Sequence, residues 1–192
     1  AGLAVMPFHP AFHANLLVSQ HFSNCHGVLR SANDCVAAKG LVGVEVSVSD
    51  HRIHVYTTHL DAGRSSKDQN AREQQLKQLA QAIGDSSKGH AMLVGGDFNL
   101  RRDNRRDMTM LATFLSATGL ANSGAFESPD CSFGCQGLDY ILYRSGERTL
   151  IEITHSGDSQ AAEFVDGTGT PLSDHPPLVL SFTLQQSGSN SP

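Results

Sequence analysis

Residues 41–58 read Leu41-Val-Gly-Val-Glu-Val-Ser-Val48, then Ser49-Asp-His-Arg52, then Ile53-His-Val-Tyr-Thr-Thr58. The strict alternation of the first segment places Val42, Val44, Val46 and Val48 on one face of an extended chain, the pattern of a half-buried strand. Ser49 to Arg52 suits a turn, because Ser and Asp side chains hydrogen-bond their own backbone. Ile53–Thr58 is a second strand, and the pair reads as an antiparallel hairpin. A row of valines needs a cover, so the hairpin belongs to a sheet packed on one face.

Toward the C-terminus, a polar stretch, Ala62 to Gln69, precedes a helix. Asn70 is its expected N-cap, with Glu73 completing a capping box and Gly84 closing it. Leu76, Leu79, Ala80 and Ile83 form one apolar stripe at helical spacing. Ala91–Gly95 is a short apolar run of the kind buried on both faces. A second helix spans about Asp107 to Thr118, with Met108, Leu111, Ala112 and Leu115 in register and Gly119 after it. Beyond Pro129 come strands at Leu138–Tyr143, Leu150–His155 and Leu178–Leu184, and then a flexible polar tail, residues 185–192. Toward the N-terminus, residues 8–38 read as a long irregular connection and Gly2–Met6 as a short buried strand. Alternating strands and helices without a repeat or linker indicate an α/β or α+β sandwich in one domain.

The 192 residues, 20.5 kDa, suit a single domain. A hydrophobic fraction of 39% supports a core and excludes wholesale disorder. The net charge of −5 and pI near 6.0 exclude a broad cationic surface for nucleic acid. No apolar run approaches the roughly 18–20 residues of a membrane-spanning helix. The chain opens Ala-Gly-Leu-Ala-Val-Met-Pro, with no basic n-region or apolar h-region, and is expected to start inside a domain. Cys25, Cys35, Cys131 and Cys135 lack zinc-ribbon spacing. Local disulfides Cys25–Cys35 and Cys131–Cys135 are open to them in an oxidising compartment, secreted or periplasmic, and four thiols are equally open.

Polar clusters accompany the apolar strands: Thr58-His59-Leu60-Asp61, Gly96-Asp97-Phe98-Asn99, Leu138-Asp139-Tyr140 and Ser173-Asp174-His175. Each alone has an ordinary explanation, since a lone His after a strand is usually a turn residue and Gly-Gly-Asp-Phe-Asn suits a tight turn. Asp139 is harder to dismiss, because a carboxylate inside an apolar strand is costly unless paired. Rigid strands aim the groups at their ends into a common crevice, so convergence on one site is expected.

Thr57-Thr-His-Leu-Asp61, Arg72-Glu-Gln-Gln75, Gly96-Asp-Phe-Asn99, Leu138-Asp-Tyr-Ile-Leu142 and Ser173-Asp-His175 resemble, in this order, the motifs of the endonuclease/exonuclease/phosphatase superfamily, the family of deoxyribonuclease I. Asp34-Cys-Val-Ala-Ala-Lys-Gly40 resembles its bacterial sphingomyelinase-like branch. The resemblance covers about Gly2 to Leu184. It implies a four-layer α/β/β/α sandwich of two mostly antiparallel sheets, with residues 1–184 as the catalytic domain. It further implies a divalent-metal-dependent phosphodiesterase, acting as a monomer on a phospholipid or nucleic-acid phosphodiester. His175 would be the general base and Asp139 would hold its ring. Asp97 would orient the water or help hold the metal. Asn99 would donate to a phosphate oxygen, and His59 to the phosphoryl group or leaving oxygen. Asp97, Asn99 and Asp174 are the implied metal ligands, for Mg²⁺ with Mn²⁺ or Ca²⁺ as substitutes. Asn99, Arg101 and Arg102 are the implied substrate contacts.

The superfamily takes its central metal-binding Glu, and an Asn near the metal, from strands preceding the Gly2–Val5 segment. Glu45 and Glu73 lie in the wrong places to replace that Glu. The chain is therefore expected to be an N-terminally incomplete copy of the domain. Alone it should bind Mg²⁺ poorly, hydrolyse little and be marginally soluble, because Gly2–Met6 and Val42–Val48 would lack neighbouring strands. His9, His13, His21 and His26 are expected to be scattered loop residues rather than a zinc site. The basic run Arg101, Arg102, Arg105 and Arg106 interleaves with Asp103 and Asp107, as in a solvated helix start. A headgroup phosphodiesterase, a nuclease gripping its substrate through that run, and an inactive remnant that binds phospho-ligands or a partner are the functional alternatives.

Overall fold

The computed structural model describes residues 3–7, 9–27, 35, 37, 39–124, 137–158, 165–170, 172–175 and 177–188. The elements run β1 (His13–His21), β2 (Gly40–Val48), β3 (His51–His59), α1 (Ser66–Ser86), β4 (Ala91–Asp97), α2 (Arg105–Thr118), β5 (Ala121–Asn122), β6 (Asp139–Arg144), β7 (Thr149–Asp158) and β8 (Leu178–Gln186). The hairpin forms as expected: β2 and β3 pair from Val48↔His51 to Gly40↔His59 around a tight turn at Ser49 and Asp50. Six strands make one sheet in the order β1-β2-β3-β4-β6-β5, and β7 and β8 make a second. Among the described strand pairs only β3 and β4 run parallel; the others are antiparallel.

Side-chain alternation divides the core at the larger sheet. Tyr56, Met92, Val94, Tyr140 and Leu142 face the helices and pack on Leu76, Leu79, Ile83, Leu111 and Phe114. Val44, Val46, Ile53 and Ala91 face the other way, against Ile151, Phe182 and Leu184 of the small sheet. The mixed α/β sandwich of two sheets is thus the expected fold class. Among the described residues both helices lie outside the large sheet. Among the described residues no helix is long and apolar enough to cross a membrane.

Several local expectations need correction. Helix α1 begins earlier than Asn70, because Ser65 accepts from the Asp68 N–H while the Asp68 side chain accepts from the Ser65 N–H. This capping box outcompetes the Asn70–Glu73 pair. The helix also runs through Gly84 to a cap at Ser87. Helix α2 starts at Asn104, whose side chain accepts from Arg106 and Asp107, and ends at Gly119 in the left-handed conformation, φ 68°. Its buried stripe is Met110, Leu111, Phe114 and Thr118, leaving Ala112 exposed.

Residues 13–21 form β1 instead of an irregular loop. The strand is polar and almost wholly exposed, recruited by backbone pairing along the outer edge of β2, with a bulge between Leu16 and Val18. Its side chains therefore carry no alternation to read. Because β1 occupies that edge, Val42–Val48 does not lack a neighbour. The described part of Gly2–Met6 is not a strand: Leu3 to Pro7 lies outside both sheets, with Val5 against the second core. Gln185 and Gln186 belong to β8 and not to a tail. Cys25 and Cys35 are disulfide-bonded. Cys131, Cys135, Pro129 and, within Asp34–Gly40, residues 34, 36 and 38 lie outside the described residues.

Candidate active site

The large sheet brings one row of residues into line at one end. Gly40 pairs with His59, His59 with Asp97, and Asp97 with Asp139 across β2, β3, β4 and β6. Residues opposite one another share a face, so His59, Asp97 and Asp139 project together on the face that carries Ile53, Ala91 and Leu93. The row is held beyond the strands by Leu60 N–H donating to Asp97 O and Phe98 N–H to Leu138 O. Gly96 permits the register: its φ is 144°, and a Cβ there would collide with the Thr58 carbonyl oxygen of the parallel neighbour.

His175 reaches the row from the segment before β8. Its Nδ1 lies 2.5 Å from Asp139 Oδ2, which leaves Nε2 for the cleft. Burial alone would lower the His175 pKa. The hydrogen bond and charge of Asp139, aided by Asp97 and Asp174, overcome burial and raise it above the usual imidazole value. Asp174 is exposed at the rim. His59 Nε2 stands 3.3 Å from Asp97 Oδ2 and 2.5 Å from Lys39 Nζ. An ammonium has only donors, so His59 Nε2 accepts from Lys39 and the imidazole carries its proton on Nδ1.

Asn99 turns the chain under this row. It adopts φ 50°, a left-handed conformation that Asn tolerates better than most residues. Its N–H donates to Asp97 Oδ1 at 2.8 Å, and its buried Nδ2 donates to Leu60 O at 2.9 Å. Asn99 thereby ties the β4 end to the β3 end, with one amide hydrogen and Oδ1 left over. Arg102 lies over the Tyr140 ring, 4.4 Å from its centroid, and donates to Asp139 O. Arg101 is directed elsewhere, in a two-point pair with Asp103. Arg106 contacts Asn70 and Glu73 on α1, so the basic run does not present one surface.

The remaining motif residues build the floor. Asp61, fully buried, accepts from His26 N–H and Gln75 Nε2. Arg72 donates to the carbonyls of Asp61 and Gly63 and pairs with Asp107, which also accepts from Arg101 N–H. One ionic web thus fixes the loop after His59 and the loop after Asn99. His26 bonds Asp68 at 2.6 Å, while His13 and His21 sit at opposite ends of β1, so the N-terminal histidines do not converge.

Lys39 is the cleft residue that sequence reasoning left out. Its signal was modest: a Lys just before a valine-rich strand, inside the Asp34–Gly40 motif. That it is only 8% exposed could not be read from the sequence, although a buried Lys is rare enough to point to a partner.

Residues 12–123 match the profile of "Endonuclease/Exonuclease/phosphatase family 2". Over 164 residues the chain is 30% identical to the sphingomyelinases of Mycobacterium tuberculosis and Mycobacterium bovis, a match covering 79% of this chain and 32% of theirs. The chain therefore spans about a third of the length of these relatives. Sphingomyelinase C from Streptomyces griseocarneus superposes with a TM-score of 0.57 at 19% identity, over 84% of this chain and 62% of that one. Zebrafish (D. rerio) TDP2 complexed with single strand DNA product gives 0.61 at 19% identity, over 88% and 68%. These two likenesses establish a shared fold. With the family profile matched through the His59 and Asn99 loops, the chain belongs to the endonuclease/exonuclease/phosphatase family.

Proposed function

We propose that this cleft hydrolyses a phosphodiester by general-base catalysis, and that its substrate is a phospholipid headgroup. The observation that carries the reading is the Asp139–His175 hydrogen bond at 2.5 Å, directed from the same row as His59, Lys39 and Asp97. Asp139 holds the His175 proton on Nδ1, so Nε2 is the free base that takes a proton from the attacking water. Asp97 offers Oδ2 to orient that water, since its Oδ1 is engaged by Asn99. The Lys39 ammonium, backed by His59, meets charge developing on the phosphoryl oxygens. Asn99 keeps one amide hydrogen for the same oxygens.

The donors of the cleft are carboxylate and amide oxygens, which suit a hard cation such as Mg²⁺ with Mn²⁺ or Ca²⁺ as substitutes. Asp97, Asn99 Oδ1 and Asp174 would hold it. They are few, in keeping with a cation that retains water and shares its shell with substrate phosphate. Such a cation would neutralise phosphate charge as a Lewis acid. Phospholipid is favoured over nucleic acid because Arg101 and Arg106 are spent on intramolecular partners and because the curated relatives bear the name sphingomyelinase.

The test is incubation of the natural protein with sphingomyelin vesicles and with plasmid DNA, each with Mg²⁺ and with EDTA. Metal-dependent headgroup release without DNA nicking is expected. Nicking without headgroup release would transfer the substrate to nucleic acid. Failure on both, with retained binding of phosphorylated ligands, would leave the inactive-remnant reading.

A further inference from the structure

The opposite end of the sheet holds a second cluster that the cleft does not use. His54 is 2% exposed and lies on the helix-facing side of β3. Its Nδ1 is 2.6 Å from Ser87 Oγ, which also bonds the Tyr56 hydroxyl. Its Nε2 is buried and has no hydrogen-bond partner. The nearest carboxylate oxygen, Glu45 Oε2 on the adjacent strand, is 3.6 Å away, beyond a good hydrogen bond. The His90 ring stacks on His54, with centroids 4.2 Å apart. His90 Nδ1 lies 3.0 Å from the Lys88 carbonyl.

A carbonyl can only accept, so His90 carries its proton on Nδ1 and presents a bare Nε2. The Ser87 hydroxyl can accept from His54 Nδ1 as well as donate to it, so His54 can take the tautomer in which Nδ1 donates to Ser87 and Nε2 is bare. Oxygen partners on the far nitrogen are the usual supports of metal-bound imidazoles. Burial first, and then His90, lower the His54 pKa against the opposing pull of Glu45. One potential ligand atom from each of Glu45, His54 and His90 lies within 4.8 Å of the others.

We propose that Glu45, His54 and His90 form a Zn²⁺ site separate from the cleft. Two imidazole nitrogens and one carboxylate are a donor set for zinc rather than for Mg²⁺ or Ca²⁺. The fourth position faces solvent, where a surface cleft of about 570 Å³ opens beside His90, bordered by Asp50, Arg52, Lys88 and Glu147. His90 is exposed, so its ring is free to leave the stack on His54 and turn its Nε2 toward the ion. The site lies five residues before His59 on β3, roughly 17 Å at strand rise, and on the other face. Zinc there clips the start of β4 to the hairpin and supplies the partner that His54 Nε2 lacks.

The test is calorimetric titration of the full chain with Zn²⁺, alongside thermal unfolding with and without the ion. Saturable binding of one Zn²⁺ and a higher Tm are expected, because the ion binds the folded state alone. His90→Ala and Glu45→Gln change surface-accessible groups and leave the fold in place; each should weaken binding at least about tenfold. Asp97→Asn should leave the affinity unaltered. Co²⁺ in place of Zn²⁺ should give visible bands that His90→Ala abolishes. Equal affinity in all variants, no saturable binding, or loss on Asp97→Asn alone would overturn the assignment.

Discussion

The two ends of the large sheet handle buried polar groups in opposite ways. At the His59–Asp97–Asp139 end, titratable groups come in close pairs: His175 with Asp139, and His59 with Lys39 and Asp97. At the Glu45–His54–His90 end, a nearly inaccessible imidazole keeps one nitrogen without a hydrogen-bond partner. The first end lies where the parallel strands β3 and β4 finish together and β6 begins, so side chains from separate segments meet at a rim. The second lies under the C-terminus of α1 and the loop into β4, where Arg144 anchors the carbonyls of Ser87 and Thr118. The contrast teaches that polar groups from separate segments find partners at the rim, while one buried under the helix is left partly unmatched.

The largest effect should come from His175→Ala, which removes the proposed base. Turnover should fall by roughly 10²–10⁴-fold while the urea midpoint hardly moves. A large loss of stability would show that the two ends are not separable in this way. Asn99→Ala should cost about 10²–10³-fold in kcat and also some stability, because the amide pins Leu60 O as well as facing the cleft. A pure stability effect in that variant would reduce Asn99 to scaffold.

Arg144→Met probes the other end. It takes the guanidinium donor from the Thr118 carbonyl and one of two donors, the other being His90 N–H, from the Ser87 carbonyl, and should destabilise by about 1–3 kcal/mol in urea unfolding, with kcat unchanged. A matched fall in kcat would couple the ends.

The smallest effect concerns the α1 cap below the cleft floor. Burial tends to raise the Asp68 pKa, but hydrogen bonds from His26 and Ser65 prevail and lower it below the ordinary carboxylate value. A depressed native pKa gives stability that is present above the unfolded-state value near 3.8 and is lost as pH falls through the native one. Wild type should therefore lose stability over that acid window more steeply than Asp68→Asn, as acid titration of circular dichroism will read. Ser65→Ala should cost about 1 kcal/mol at neutral pH.

The deep core was readable and the edges were not. Val42 to Val48 and Leu76 to Ile83 bury one face each, so burial imprints a period on the residues. Strand β1 pairs through its backbone at an open edge, and Leu16 remains 68% exposed, so no period marks it. The Ser65–Asp68 cap prevailed over Asn70–Glu73 because Asp68 is also held by His26, far away in sequence.

From sequence came the residue types and their order: a His after one strand, Asp-Phe-Asn after another, an Asp inside a third and Asp-His before a fourth. Each was aligned with an apolar strand whose own pattern located it. Tertiary structure alone decided the register that sets Gly40, His59, Asp97 and Asp139 in one row. It also decided the burial of Lys39 against His59 and the approach of His90 and Glu45 to His54. The physical reason is the range of the forces involved. Periodicity and capping act over a few residues and leave a local trace, whereas strand register and side-chain pairing join segments tens of residues apart and leave none.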